Sequence, residues 1–381
     1  MEKPLKDLVV LDLSRVLAGP YCTMVLNDLG AEIIKVERPD TGDDSRNFGP
    51  FIEGRSAYFI SLNWGKKSIT LNLKDEKDRK TFLGLVKKVD ILVENFRPTT
   101  MKKLNLDYNT LKEYNDQLIY AAISGFGHSG PYSEKAAYDM IVQAAGGIMS
   151  ITGEPGRPPV RVGASIGDIV AALFATVGIL SAVYEREKSG KGKKVDVAML
   201  DSQIAILENA IARYAVSGKV PGPLGNRHPS ITPFEAFKAK NGWFIIAVGN
   251  DNIWAKFCKA IGREELIDDP RFKTNDKRTK NHDELIEIIN NFVEDKKYDE
   301  VIELLDNHGV PAGPINDVED LFNHPQVKAR NMLVDVVDPE SGKFTIAGNP
   351  IKLSDTPDEI EREKAPKLGE NTEEIIKKYL D

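Results

Sequence analysis

Apolar positions along the chain recur as short runs rich in β-formers, set apart by polar or amphipathic stretches. Leu8 to Leu13, Ile33 to Val36, Ser68 to Leu73, Asp90 to Glu94, Leu118 to Ile123 and Lys194 to Leu200 read as strands. Between the first two, Pro20 suits the first turn of a helix and Gly30 its end. Strands alternating with helical stretches predict an α/β fold with a parallel, Rossmann-like sheet in a large domain. The most apolar stretch, Ile169 to Val183, falls short of the ~20 residues a membrane span needs and reads as a core helix. A further helix is expected from about Ser202 to Val216.

The pattern breaks at Gly218 to Gly225, where glycine and proline predict a linker. Beyond it, Phe234 to Val248 reads as a hairpin turning at Asn241-Gly242, and Leu285, Ile288, Ile289 and Phe292 fall on one helical face. The expected organisation is a large α/β domain over 1–217, a linker over 218–225 and a small α+β domain over 226–316. A C-terminal segment, 317–381, returns to the large domain and ends in a helix from about Glu370 to Leu380.

At 381 residues, with 41% hydrophobic and 29% charged, the chain is ordinary globular material with length for more than one core. A net charge of −7 speaks against a nucleic-acid partner, so an anionic ligand has to be met by local basic groups. Cys22 and Cys258 match no disulfide framework or metal spacing, and the five histidines form no HxxxH or HExxH pair; a metal site is not expected, and a reducing cytoplasm is. The N-terminus lacks the apolar stretch of a secretion signal.

Asp168 closes the run Gly163-Ala-Ser-Ile-Gly-Asp168, directly before the apolar stretch. An aspartate there is expected to cap the helix, with backbone N–H groups and the helix dipole holding it ionised. With Gly163 and Gly167 before it, it is also open to a substrate, and an accessible carboxylate can act as a nucleophile. Gly125-Phe-Gly-His-Ser-Gly130 has the form of a dinucleotide motif, but Pro131 follows where a helix should run and no acidic residue ends a next strand. Basic residues stand after successive strands: Arg38, Lys74, and Arg97 followed by Lys102-Lys103. That edge is where open α/β sheets bind ligands. Tyr138-Asp139 and the loop at Gly249-Asn250 are further points of interest.

Ser14 to Pro20, Asp28 to Pro39, Asn63 to Lys74, Val93 to Arg97, Tyr138 to Gly147, Gly167-Asp168, Gly309 to Pro314 and Ala365 to Thr372 together resemble the class III CoA-transferase family nearly end to end. The resemblance implies a large and a small domain and an interlocked homodimer of ring-like protomers. It implies Asp168 as nucleophile, coenzyme A as substrate rather than resident cofactor, and a carboxylic acid as acceptor. Its CoA site carries over onto Val16, Arg38, Leu71, Lys74, Asn95, Phe96, Arg97, Lys103, Ala136 and Tyr138, and its glycine-rich lid onto Gly249 and Asn250. The family's usual basic residues are replaced or displaced at Lys103 and Ala136. Leu17 stands where formyl-CoA:oxalate transferases carry glutamine, and Arg15 to Tyr21 with Phe48-Gly-Pro is similar to transferases using succinyl-CoA and other dicarboxylates such as glutarate. Arg46, Arg161 and Arg227 are candidate anchors for a second carboxylate. The alternatives are an acyl-CoA racemase, for which Tyr138 stands in place of a histidine base, a non-catalytic CoA-binding protein, and a nicotinamide oxidoreductase.

Overall fold

The computed structural model describes residues 2–356 and 358–381. Two compact units emerge: Met1–Met149 with Arg161–Lys219 and Pro325–Asp381, and Ser150–Val160 with Val220–His324. The stretch 150–160 thus clusters with the second unit, and 325–381 with the first.

The first unit is built on six strands: β1 (Val9–Asp12), β2 (Glu32–Glu37), β3 (Lys67–Thr70), β4 (Ile91–Glu94), β5 (Ile119–Ser124) and β6 (Lys194–Ala198). They pair in the order β3-β2-β1-β4-β5-β6, every pair parallel. This is the doubly wound order, whose strand sequence reverses between β1 and β4, and ligands bind outside the C-terminal ends of the strands at that reversal. Both faces are covered, as a parallel sheet requires. One core gathers Val10, Ile33, Ile91 and Ile119 with Ala171, Ala172, Ala175 and Ile179, and the other gathers Leu11, Ile34, Ile69 and Leu92 with Phe82, Leu85 and Ile375.

The expected core helix is longer than its apolar run: it spans Ile166–Ser189. By length and composition it is sufficient to cross a membrane. Its alanine-rich face packs on the sheet, while Leu173, Phe174, Val177 and Tyr184 on the opposite face are exposed. The helix expected from Ser202 to Val216 is instead two, Met199–Ala205 and Ala210–Ser217. The helix breaks between them, with Glu208 at a φ of 54°, while Ser202 and Gln203 in the first are buried and Gln203 Nε2 donates to the Ile166 carbonyl at 3.2 Å. Asn371 and Thr372, at the start of the final helix (Thr372–Tyr379), bond the backbone of β3 and cover that sheet edge.

In the second unit, β7 (Phe234–Ala239) and β8 (Gly242–Ala247) form the hairpin, and β9 (Ala312–Pro314) pairs antiparallel with β8. Phe237, Phe244, Trp254, Phe257, Leu285 and Ile289 form its core.

Candidate functional site

A cavity of about 600 Å³ opens in the first unit at the strand-order reversal, between the loop after β1 and the loop after β4. Val16, Arg38, Leu71, Lys74, Asn95, Phe96, Arg97, Ala136, Tyr138 and Asp168 all line it. Lys103 does not: it ends the short helix Pro98–Lys103 and points to solvent. Lys135 lines the cavity beside Ala136 and places a basic group there. Gly249 and Asn250 belong to the second unit, where both are exposed and the Asn250 side chain caps the helix Asp251–Ala260 by accepting from Ile253 N at 2.9 Å.

The polar wall is made by charges at strand ends. Arg38, Lys74, Arg97 and Lys135 are exposed, open to an anionic ligand. Asp44 sits between Arg15 at 2.6 Å and Arg38 at 3.6 Å. Asn95 is turned to the protein: its Oδ1 accepts from Arg15 N at 3.0 Å and its Nδ2 donates to Arg15 O at 2.8 Å, so its amide shapes the β1 loop. Phe96 N donates to the buried Glu94 carboxylate at 2.7 Å, fixing the next loop.

Asp168 departs from the expected capping geometry. Ser165 occupies the N-cap position and Asp168 lies one turn in. The Gly167 N–H, a free donor of that first turn, goes at 2.8 Å to Asp139 Oδ1, and Gln143 Nε2 holds the other Asp139 oxygen at 2.8 Å. A Cβ at Gly167 would stand 2.7 Å from Val142 Cγ2 and 2.9 Å from Asp139 Oδ1, so glycine is what lets the two segments close. The Asp168 side chain is half-buried, and its carboxylate has no hydrogen-bond partner among the described residues. Burial, and then the Asp139 charge, push its carboxyl up to about 7. The expectation that the helix end holds it ionised is overturned: the donor is spent on Asp139, whose charge opposes that of Asp168.

Sequence reasoning passed over Tyr58, whose phenol is pushed up to about 12 by burial and then by Asp168, Asp43 and Asp139. It also passed over Asp43, a buried charge that lines the cavity, and the buried charges Asp12, Lys35 and Lys66. Of the arginines considered as anchors, Arg46 is committed to both Glu37 oxygens, at 2.6 and 2.8 Å, and lies over the Phe59 ring. Arg161 bonds the Val162 carbonyl at 3.0 Å, and Arg227, in the second unit, bonds Thr279 O at 3.3 Å. The Gly125 to Gly130 segment leaves β5 as turns, and the next helix starts only at Asp139, so no dinucleotide-type helix follows it.

The chain is similar over nearly its whole length to several known proteins. The acetyl-CoA:oxalate CoA-transferase of Acetobacter aceti is 44% identical, covering 99% of this chain and 96% of its own length. The human succinyl-CoA:glutarate CoA-transferase is 39% identical, covering 99% of this chain and 86% of its own. The crystal structure of a CAIB/BAIF family protein from Brucella suis superposes with a TM-score of 0.86 at 41% identity, over 100% of both chains. The sequence matches the model of CoA-transferase family III over residues 5–372. The family model matched over residues 5–372 and relatives of this closeness place the chain, with its doubly wound sheet and its cavity of one carboxylate and several basic groups at the reversal, in CoA-transferase family III, as an enzyme that moves coenzyme A between carboxylic acids.

Proposed function

We propose that the cavity of the first unit is the acyl-CoA site and that Asp168 is the group to which acyl and CoA are transiently bonded. One observation carries this reading: the half-buried, unpartnered Asp168 carboxylate shares a single cavity with Arg38, Lys74, Arg97 and Lys135. The basic groups suit the phosphates of CoA and the carboxylate suits its thioester.

In the first step an Asp168 oxygen attacks the thioester carbonyl of the donor. The C–S bond breaks, CoA leaves as thiolate and an acyl-aspartyl anhydride remains. The thiolate adds to the Asp168 carbonyl carbon and expels the donor acid as its carboxylate, leaving aspartyl-CoA. An oxygen of the acceptor carboxylate attacks that carbon and expels the thiolate, giving a second anhydride. The thiolate then attacks the acceptor's acyl carbon, releasing the new thioester and restoring the Asp168 carboxylate. Each stage exchanges one acyl bond for another, so no external nucleophile or oxidant enters. Asp168 has to lose its proton first, and the Asp139 charge that raises its pKa also makes it the more basic carboxylate.

The donor is read as succinyl-CoA or a similar acyl-CoA. The succinyl-CoA:mesaconate transferase of Haloarcula hispanica, 40% identical, supports a dicarboxylic acid as partner, and Leu17, which stands where formyl-CoA:oxalate transferases carry glutamine, lines the cavity and speaks against oxalate. The working form is read as an interlocked homodimer, because Leu173, Phe174, Val177 and Tyr184 leave an apolar face open along a helix whose other face is core. Buried free thiols at Cys22 and Cys258 fit a reducing cytoplasm.

Mass spectrometry of peptides from protein mixed with succinyl-CoA tests the assignment. An acyl or CoA adduct is expected on the peptide containing Asp168, and an adduct confined to any other peptide overturns it.

A further inference from the structure

The loop joining β1 to the helix Ala18–Asp28 contains a β-branched residue in a conformation such residues avoid: Val16 has a φ of 68°. A backbone of this kind persists only where surrounding groups impose it. Here three successive residues are each gripped from outside the loop. The Ser14 N–H donates to Asp12 Oδ1 at 2.9 Å, while the Ser14 carbonyl accepts from Lys35 Nζ at 2.8 Å. Arg15 is held through both its backbone groups by the Asn95 amide. Val16 N donates to the two Asp43 oxygens at 3.0 and 3.3 Å.

Asp43 is built for this task. Its carboxylate also accepts from Ser45 N at 2.9 Å and Ser45 Oγ at 2.7 Å, and pairs with Lys35 Nζ at 2.8 Å, the two side chains being 1% and 0% exposed. Burial works against its charge, but Lys35 and the Ser45 donors more than offset it and hold the carboxyl below its usual range. Lys35 therefore touches both ends of the loop, one directly at Ser14 and one through Asp43. A Cβ on Gly19 would come within 2.1 Å of Ser14 Cβ, so the following helix is also closed down onto the loop. A buried ion pair contributes little to stability by itself, and this one is aimed at backbone atoms of a cavity wall.

We propose that Asp43, with Lys35 as its buried counterion, is a positioning residue of the transferase site: it clamps Val16 in the left-handed turn and so shapes the wall against which acyl-CoA lies. The proposal rests on the reading of the cavity as the acyl-CoA site. If the clamp exists to impose the conformation of Val16, its loss matters only while residue 16 resists that conformation. Glycine adopts it without steric cost.

The test is a double-mutant cycle in the full-length protein with D43N, V16G and D43N/V16G, reading KM for succinyl-CoA, kcat, and CoA affinity by calorimetry. D43N is expected to raise KM about tenfold with kcat falling less than threefold, and to raise it less than about twofold in the V16G background. Equal effects in both backgrounds, or a fall in kcat with KM unchanged, as loss of folded protein would give, overturn the clamp. Should D43N yield no folded protein, S45A removes one donor from the same carboxylate and is expected to raise KM about twofold in the Val16 background alone; no change in KM overturns the proposal. An R38A/K74A variant separates the two readings. Unchanged CoA affinity there overturns the cavity assignment itself, whereas weakened affinity together with additive D43N and V16G effects overturns only the clamp.

Discussion

Asp43 and Asp168 line the same cavity and are opposite solutions to placing a carboxylate at its wall. Asp43 has a buried lysine, a hydroxyl and two backbone N–H groups around it, and is held below its usual range. Asp168 has no donor among the described residues, and the nearby helix N–H that would serve it is taken by Asp139, so it is pushed up to about 7. The saturated carboxylate is fixed and unreactive and organises backbone. The unpartnered one keeps its lone pairs free, as the proposed attack on an acyl carbon requires, at a cost to the charged form that the fold has to absorb.

The most severe way to test that contrast is D168N, which keeps shape and removes the proposed nucleophile. Turnover is expected to fall by about 10⁴-fold or more while CoA affinity persists, measured by thioester chromatography and calorimetry. The same variant reads the stability side. A carboxyl whose folded pKa lies above its unfolded value contributes stability that is complete below about pH 4 and lost as pH rises through about 7. D168N, always neutral, should therefore melt a few degrees above wild type near pH 8, and the gap should close near pH 4 in a thermal-melt series.

Next in size is assembly. If the proposed dimer forms through the open apolar face of the Asp168 helix, V177E is expected to convert it to monomer in light scattering, since a charge there cannot be buried against a partner. A milder effect is expected from D139N. Wild-type kcat/KM should rise through about pH 7, and removing the Asp139 charge should move that rise to lower pH, with burial keeping it above the ordinary carboxylate range. The smallest expected change is K135A, a roughly threefold rise in KM for acyl-CoA in steady-state kinetics, because an exposed cation on a phosphate is screened by solvent.

The chain's pattern was sufficient for the parallel sheet, because β-rich runs such as Leu8 to Leu13 and Leu118 to Ile123 are buried on both faces and read as strands without context. The hairpin at Asn241-Gly242 was legible for a similar local reason. Ile169 to Val183 was legible as a helix but misleading about burial: an apolar stretch has no mark distinguishing the side that meets the sheet from the side left open. The helix expected from Ser202 to Val216 failed because its break depends on where Gln203 anchors, a contact distant in sequence.

By itself the sequence determined the order of strands and helices, the loops at their C-terminal ends and the residue types those loops carry, Asp168 and the basic positions among them. These follow from periodicity and local backbone preference, which act over a few residues. Only the tertiary structure decided how each charge behaves. Asp139 reaches Gly167 across 28 positions and Asp43 reaches Val16 across 27, and whether a carboxylate is poised or pinned is set by burial and by neighbours that chain folding alone brings within hydrogen-bond range.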